Sequence, residues 1–256
     1  MISQRQLVRL MPWLAIFALL AVWELVCRLF HLREFVLPAP TVIAQSFVTY
    51  AGPLFYHSWR TLVITLFGFG LAIIGGMLLG MAIGFSTLVY QGLYPLLVGF
   101  NAVPKVAIVP ILVLWFGIGA APAIITSFII SFFPIVVNVA TGIATVEPEL
   151  ADVLRSLGAT KFDVLWKVGL PRAMPYLFAS LKVAITLSFV GSVLAETIAG
   201  NAGLGFLMVT ASARFEVSLV FAGLIAVAAM AVGLYAICVA IEKRMTRWAF
   251  RGELVA

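Results

Sequence analysis

The chain has 256 residues, of which 64% are hydrophobic, and its mean hydropathy is +1.17. Soluble domains are roughly half apolar, so this composition excludes an ordinary water-soluble domain and indicates that lipid is the main solvent. The net charge is +6, but the basic residues cluster beside apolar segments, as membrane topology requires, so we expect no nucleic-acid partner. Cys27 and Cys238 lack the close spacing of a metal site, so we expect no bound metal.

Six apolar stretches are each long enough to cross a bilayer as a helix. They cover residues 11–30, 62–85, 93–116, 124–146, 176–198 and 219–241. The sequence therefore predicts an all-α, polytopic membrane protein with a single transmembrane domain over residues 1–256. The first stretch follows Arg5 and Arg9 and has no small-residue cleavage signal, so we expect an uncleaved first span.

Proline marks two irregular segments. Between the first two stretches, Leu37-Pro38-Ala39-Pro40 and a mildly amphipathic segment predict a turn followed by a short helix at the membrane interface. In the third stretch Pro104 and Pro110 flank Lys105 and remove backbone donors, which predicts a broken or kinked helix. Such a break is tolerated only where it faces protein or a cavity, so we expect it near the transport pathway.

The distribution of basic residues predicts the orientation. If the N-terminus is cytoplasmic, eleven Lys and Arg residues lie inside and four lie outside, with Lys105 in the third span. The inside residues are Arg5, Arg9, Arg155, Lys161, Lys167, Arg172, Lys182, Lys243, Arg244, Arg247 and Arg251, and the outside residues are Arg28, Arg33, Arg60 and Arg214. Because loops rich in Lys and Arg stay in the cytoplasm, both termini are predicted there.

Polar residues inside the spans are candidates for the translocation pathway, because burying them in lipid is costly. They are Asn101 and Lys105 in the third span, Ser131 and Asn138 in the fourth, and Ser188, Ser192 and Glu196 in the fifth. Lys105 would attract an anion. The alternative stays open that the serines form interhelical hydrogen bonds and that Lys105 extends toward the membrane surface.

Glycine recurs at four-residue steps in the second span, at Gly76, Gly80 and Gly84. A stripe of small residues lets another helix approach closely. It predicts a packing face, either within the subunit or across a dimer. A second glycine-rich segment, residues 200–205, lacks the preceding strand of a nucleotide-binding fingerprint and predicts a tight outer turn that faces a substrate-binding protein.

The loop between the fourth and fifth spans, residues 147–175, carries two amphipathic stripes. Apolar residues recur at helical spacing on both sides of Gly158, up to Pro171. This pattern predicts a helix, a turn and a second helix. Such a long, charged hairpin is more than a connection between two helices requires, so we expect it to dock on a partner. The alternative is that the hairpin lies on the membrane surface.

The hairpin resembles the cytoplasmic signature of the permease family of binding-protein-dependent ABC importers: Glu-Ala-Ala, three residues, Gly, nine residues, then Ile-x-Leu-Pro. The corresponding residues are Asp152, Val153 and Leu154 for Glu-Ala-Ala, Gly158 for the glycine, and Val168, Leu170 and Pro171 for Ile-x-Leu-Pro. Further similar stretches are residues 37–40, residues 110–119, Ala195-Glu196 and residues 203–206. They are most similar to the branch that imports nitrate, sulfonates, taurine and some vitamin precursors.

The resemblance implies a type I importer permease fold of six spans and a coupling hairpin. It also implies three kinds of partner: a second copy of the permease, two ATPase subunits that bind ATP and Mg²⁺, and a periplasmic substrate-binding protein. Asp152 would then accept a charge-assisted hydrogen bond from a basic residue of the ATPase. The implied location is the bacterial inner membrane.

Two other classes of function compete with an importer subunit. The chain has no Gly-x4-Gly-Lys-Ser/Thr phosphate loop, so we expect no ATP hydrolysis and no cofactor bound by the chain itself. An ion-coupled secondary transporter would also have broken helices, but it leaves the hairpin unexplained. A membrane-embedded enzyme would need clustered catalytic groups, whereas His31 and His57 both lie in the predicted outer loop, so no catalytic residue is assigned.

Overall fold

The computed structural model describes residues 4–145 and 148–246. Its helices are α1 (Gln4–Leu29), α2 (Pro40–Thr49), α3 (Ala51–Phe85), α4 (Thr87–Ala102), α5 (Lys105–Phe116), α6 (Ala120–Ala144), α7 (Pro148–Ser156), α8 (Lys161–Val164), α9 (Leu170–Ala199), α10 (Leu204–Ala213) and α11 (Val217–Met245), with a π-helical turn at Leu165–Gly169. Residue 147, where the predicted loop begins, and Arg247 and Arg251 of the predicted cytoplasmic set lie outside these described residues.

The all-α, polytopic prediction is confirmed. Within the described residues, five helices are long and apolar enough to cross a membrane, and α4 with α5 makes a sixth if the bent pair counts as one span. The helices begin earlier than the predicted stretches; for example, α3 begins at Ala51 rather than residue 62, and α9 at Leu170 rather than residue 176. Hydropathy locates only the apolar part of a helix, and the hydrogen-bonded backbone of these two helices continues past it.

The short helix predicted after the proline-rich turn is α2. Pro40 occupies its first turn, where the missing N–H would have no partner in any case, and Ala39 before it is extended at φ −68° and ψ 148°. The Glu24 carboxylate of α1 accepts hydrogen bonds from the Thr41 N–H at 3.1 Å and the Thr41 Oγ1 at 2.8 Å. This contact joins α1 to the start of α2.

The predicted break in the third span is confirmed at Pro104. Helices α4 and α5 meet at an angle of 88°. Val103 is extended at φ −66° and ψ 129°, because the ring of a proline excludes the preceding residue from helical geometry. Pro110 does not contribute a break, contrary to expectation: it lies inside α5, where it removes one donor without ending the helix.

The core of the bundle is formed by α3, α6 and α9, and the glycine stripe belongs to it. A Cβ atom added to Gly76 would lie 2.8 Å from Cβ of Ile135, and one added to Gly80 would lie 2.8 Å from Cβ of Val139. Gly84 meets Ile143 in the same way. Of the two alternatives for this stripe, the structure therefore shows packing within the subunit, between α3 and α6.

The predicted helix, turn and second helix are present as α7, Gly158 and α8. The second helix continues past Pro171, because it runs through the π-helical turn into α9. Pro171 offers no N–H to the preceding turn, and the N–H of Leu170 donates to the carbonyl of Leu165, one residue further back than in an α-helix. The π-helical turn thus keeps the chain helical across the proline.

Candidate functional site

The hairpin, residues 148–170, has a solvent-exposed first helix. The Asp152 carboxylate lies 2.9 Å from the Arg155 guanidinium, and the side chains are 70% and 51% exposed. Val153 and Leu157 are apolar yet 57% and 79% exposed, while Leu154 is half-buried. An amphipathic helix that leaves such side chains uncovered has a face available to a protein partner.

The turn of the hairpin has a defined shape. Gly158 adopts φ +86°, in the left-handed region that favours glycine, and its N–H donates to the Arg155 carbonyl at 2.9 Å. On the far side, Thr160 and Asp163 cap α8: the Asp163 carboxylate accepts from the Thr160 N–H at 3.0 Å, and the Asp163 N–H donates to Thr160 Oγ1 at 3.2 Å. These bonds close the turn after α7 and cap the start of α8.

The second part of the predicted coupling segment lies where the hairpin joins the span. Val168 is half-buried in the π-helical turn, Leu170 is half-buried at the start of α9, and Pro171 is exposed. Gly169 between them is buried, and a Cβ there would lie 3.3 Å from Leu165. The structure thus brings the predicted coupling residues into one continuous segment at one end of the bundle.

At the opposite end of α9, buried polar side chains join α9 to α3 and α6. Thr61 Oγ1 lies 2.8 Å and 2.9 Å from the two carboxylate oxygens of Glu196, and Thr65 Oγ1 lies 2.6 Å from Ser192 Oγ. One step further, Ser127 Oγ lies 2.5 Å from Ser188 Oγ. We call these six residues the polar ladder. Residues four apart lie on one face of a helix, and α3 and α9 run antiparallel, so Thr61 and Thr65 meet Glu196 and Ser192 in turn.

The Glu196 carboxylate is a cap for α10 supplied from another helix. It accepts a hydrogen bond from the Gly205 N–H at 3.0 Å, in the first turn of α10, where backbone donors have no partner within the helix. The Leu204 N–H donates to Thr61 Oγ1 at 2.8 Å, and the Gly203 N–H donates to His57 Nδ1 at 3.0 Å. The N-terminal end of α10 therefore faces the carboxyl group of a buried acidic side chain.

Gly203 makes this arrangement possible. Its φ of +105° is unfavourable for other residues, and a Cβ atom there would overlap the carboxyl group of Glu196. At Gly205 a Cβ would lie 2.5 Å from the Val193 carbonyl and 2.7 Å from Cβ of Glu196. The tight turn predicted for residues 200–205 is therefore confirmed as a local structure, wrapped around the side chain of Glu196.

The pathway candidates divide by burial. Ser188 and Ser192 are 0% exposed and bond across helices, and Glu196 is 1% exposed. Ser131 is also 0% exposed, and its hydroxyl donates to the Ser127 carbonyl at 2.6 Å, whereas half-buried Asn138 donates to the Pro134 carbonyl at 2.8 Å. For Ser188 and Ser192 the structure thus shows the interhelical bonds that were the alternative to a pathway role, and that role stays a prediction.

Asn101 and Lys105 come together at the break between α4 and α5. Lys105 Nζ donates to the side-chain oxygen of Asn101 at 2.9 Å and also to the Asn101 carbonyl. A cation at this position stabilises the carbonyl end of α4. Asn101 is exposed and Lys105 is half-buried, so both keep accessible surface, as half-buried Asn138 does.

Sequence reasoning missed several members of these networks. Thr61 and Thr65 carry the α3 side of the ladder, and their four-residue spacing, matched to that of Ser192 and Glu196, was the available signal. The Lys182 ammonium and the Glu242 carboxylate, 2.8 Å apart, join α9 to α11. No sequence pattern connects that pair, because their partnership depends on which helices pack together.

Residues 72–247 match the family described as "Binding-protein-dependent transport system inner membrane component". Among curated proteins, a probable ABC transporter permease protein of Haemophilus influenzae is 32% identical over 88% of this chain and 92% of its own length. The riboflavin transport system permease protein of Chloroflexus aurantiacus is 32% identical over 90% and 87%. The taurine transport system permease protein of Escherichia coli is 31% identical over 90% and 86%.

The fold is similar to that of a solved importer. A chain from the inward-facing MetNI methionine ABC transporter superposes with a TM-score of 0.64, covering 76% of this chain and 95% of that chain. The two sequences are 19% identical, so this likeness concerns the fold alone.

Proposed function

Because this chain belongs to the family of binding-protein-dependent transport system inner membrane components, we propose that its hairpin couples the membrane helices to a separate ATPase. The resemblance inferred from the sequence is thereby confirmed: the chain is a multi-pass permease subunit of a bacterial ABC importer, with the type I permease fold. Importers of this family work with ATPase and substrate-binding partners. The proposal concerns which residues of this chain contact those partners.

The uncovered face of α7 is the observation that carries the proposal. Val153 and Leu157 are exposed beside the charged pair Asp152 and Arg155, and the left-handed turn at Gly158 holds this face in a fixed direction. A coupling element must transmit force without changing shape, and the hydrogen-bonded turn meets that requirement. The continuous helix from α8 through the π-helical turn into α9 links the hairpin directly to a core helix of the bundle.

Asp152 is the charged contact in this proposal. Its bond to Arg155 is an exposed pair on one helix, which contributes little stability because water solvates both groups. A basic side chain of the ATPase can therefore take over the carboxylate at small cost, forming a charge-assisted hydrogen bond. Val153, Leu154 and Leu157 supply apolar contact beside it, and Val168, Leu170 and Pro171 connect the contact to α9.

The proposed assembly has two copies of this subunit, two ATPases that bind ATP and Mg²⁺, and one periplasmic binding protein. A symmetric dimer is the commonest arrangement for such a subunit. The excess of Lys and Arg supports a cytoplasmic position for the hairpin and both termini in this proposal. In this scheme ATP hydrolysis belongs to the ATPases alone, and their closure on ATP turns the pathway toward the periplasm.

We propose that the solute is a small anion or a vitamin precursor. Two relatives are the permease proteins of taurine and riboflavin transport systems. Asn101 and Lys105 are the proposed contacts in the pathway, because they lie together at the break between α4 and α5, where an amide and an ammonium are accessible. An ammonium in a span attracts an anionic solute, and the broken helix is tolerated where it lines a cavity.

The experiment is co-purification of this chain with the ATPase and binding protein encoded beside it, in wild-type form and as Asp152→Lys. We expect the wild-type importer to retain the ATPase in stoichiometric amounts. The variant should retain it about tenfold less tightly, because an attraction becomes a repulsion at one charged contact. Thermal unfolding of the variant permease should match the wild type, since Asp152 is exposed.

Glu149→Lys is the matched control, since it makes the same charge change at another exposed position of α7. It should bind the ATPase more tightly than Asp152→Lys does. Equal retention of the ATPase in wild type and Asp152→Lys would refute the contact. Uptake by the purified permease alone in liposomes, driven by an ion gradient, would refute the importer mechanism and favour a secondary transporter.

A further inference from the structure

The end of α3 and the second half of the hairpin enclose a groove of about 310 Å³. We call it the inner groove. Its lining residues are Met81, Ala82 and Phe85 of α3, Phe162 of α8, and Leu165 and Trp166 of the π-helical turn. All six side chains are apolar, so water in the groove finds few hydrogen-bonding partners. The inner groove therefore suits an apolar occupant.

The depth of the inner groove follows from the length of α3. Arg60 is an exposed charged residue on this helix, so it lies outside the hydrocarbon core. Met81 follows it by 21 residues, which is about 31 Å along a helix, and the core is about 30 Å thick. A tilt of α3, or a position of Arg60 farther from the lipid, moves Met81 toward the middle of the membrane. The groove therefore begins at the level of lipid, at the far edge of the core or deeper.

The rim of the inner groove carries two aromatic rings and a cation. Phe162 and Trp166 are 62% and 57% exposed, with their ring centroids 6.1 Å apart. Lys167 follows Trp166 in the sequence, and its side chain is 72% exposed. A Trp ring beside a Lys is typical of the boundary between hydrocarbon and headgroups. The rim thus has the chemistry that its depth in the membrane requires.

The two halves of the hairpin expose different surfaces. Helix α7 exposes Val153 and Leu157 beside a charged pair, and this is the proposed ATPase contact. The second half exposes its rings at the level of lipid. There the Lys167 ammonium lies 3.5 Å from the Asp163 carboxylate, an exposed pair on one helix that contributes little stability. Because Asp163 also accepts the Thr160 N–H in the cap of α8, it stays in place when Lys167 turns to another anion.

We propose that the inner groove is a binding site for an anionic phospholipid, with an acyl chain against Phe85 and Leu165 and the phosphate at Lys167. Such a lipid matches both parts of the site, because it joins a hydrocarbon chain to an anion at the depth where the groove meets its rim. The proposed function enters only in naming the cytoplasmic leaflet as the source of the lipid. A bound chain fills the space between α8 and α3, so the position of the hairpin depends on the lipid.

The test measures quenching of Trp166 fluorescence by phosphatidylglycerol that carries bromine atoms on its acyl chains. The full-length permease is placed in phosphatidylcholine nanodiscs with rising fractions of brominated lipid. The emission of Trp166 is the difference between wild type and Trp166→Phe. We expect half-maximal quenching at a fraction about fivefold lower for brominated phosphatidylglycerol than for brominated phosphatidylcholine, because one Lys near the membrane surface favours an anionic lipid by about this factor.

Lys167→Gln removes the cation and should abolish the preference for phosphatidylglycerol. Lys243→Gln is the matched control, because Lys243 is another exposed lysine, in the last turn of α11. It should keep the preference. An equal loss in both variants would reveal a general effect of surface charge and would overturn the site.

The acyl chain is tested by filling the groove. Ala82→Phe places a ring among the lining residues, and about threefold more brominated lipid should then be needed to quench Trp166. Leu78→Phe is the control, because Leu78 is 61% exposed one turn earlier on α3 and is not a lining residue. It should leave quenching unchanged. Equal curves for the two variants would show that no chain occupies the groove.

The remaining outcomes separate the lipid site from the proposed function. Equal quenching of wild type by the two lipids overturns the site. So does a loss of quenching when the ATPase encoded beside the permease is added, since protein would then cover the groove. A permease that retains the ATPase without distinguishing the lipids refutes the lipid site alone. One that distinguishes the lipids but retains no ATPase refutes the coupling proposal alone.

Discussion

Two carboxylates at opposite ends of this molecule have opposite surroundings. Glu196 is 1% exposed and accepts hydrogen bonds from α3 and α10, whereas the Asp152 side chain is 70% exposed and has Arg155 of its own helix beside it. A buried carboxylate needs its partners because no water replaces them. An exposed one can exchange a neighbour for a new partner at little cost. The first therefore stabilises the fold, and the second is suited to a changing contact.

Two glycines, one in the hairpin and one before α10, also differ in their surroundings. Gly158 and Gly203 both have positive φ, +86° and +105°. A Cβ on Gly158 would meet nothing within 4 Å, whereas one on Gly203 would overlap the Glu196 carboxyl group. The hairpin thus needs glycine for its backbone angle alone. The turn before α10 needs it for the backbone angle and for close approach.

The largest effect is expected for Glu196→Ala. It leaves the Gly205 N–H and the Thr61 hydroxyl without their acceptor, and it removes the cap of α10. The free energy of unfolding should fall by about 3 kcal/mol, from one unsatisfied buried donor and one lost cap. Thermal unfolding in detergent measures this effect.

Glu196→Gln is the control for this variant, because the amide oxygen can still accept a hydrogen bond and the volume is conserved. It should lose less than half as much stability as Glu196→Ala. Equal losses in the two variants would show that the charge, and not the acceptor, holds α10.

The next largest loss of stability is expected for Gly203→Asn, and Gly158→Asn is the variant with which it is compared. Asparagine tolerates positive φ, so both variants keep the backbone angle and differ in the space available. Gly203→Asn should lose about 2 kcal/mol by overpacking against Glu196, whereas Gly158→Asn should lie within about 0.5 kcal/mol of wild type. Unfolding curves give the free energy of unfolding of both variants. Similar losses in the two would mean that the turn around Glu196 opens to accommodate the added side chain.

The smallest effect on stability, but a large one on coupling, is expected for Gly158→Val. A branched residue at φ +86° adds about 1–2 kcal/mol of strain, which the exposed hairpin relieves by changing its angle. ATP hydrolysis stimulated by the binding protein should be lost while thermal unfolding changes little. Full coupled transport by this variant, with wild-type retention of the ATPase, would exclude the hairpin as the coupling element.

The sequence by itself determined the membrane class, the number of apolar segments, the break at Pro104 and the hairpin with its glycine turn. Each of these depends on local chemistry. Apolar length decides whether a helix can cross lipid, proline restricts the residue before it, and glycine permits a left-handed backbone angle. Residues 152–171 also resemble a known family signature in residue type and in spacing.

Only the tertiary structure decided what the polar residues of the spans do. Ser188, Ser192 and Glu196 show the same four-residue spacing whether they line a pathway or bond to a neighbouring helix, because periodicity defines a face and not what that face meets. The packing of α9 against α3 and α6 gives them their partners, Thr61, Thr65 and Ser127. The cap on α10 likewise depends on contacts of Glu196 and Thr61 with the start of another helix, which no local pattern encodes.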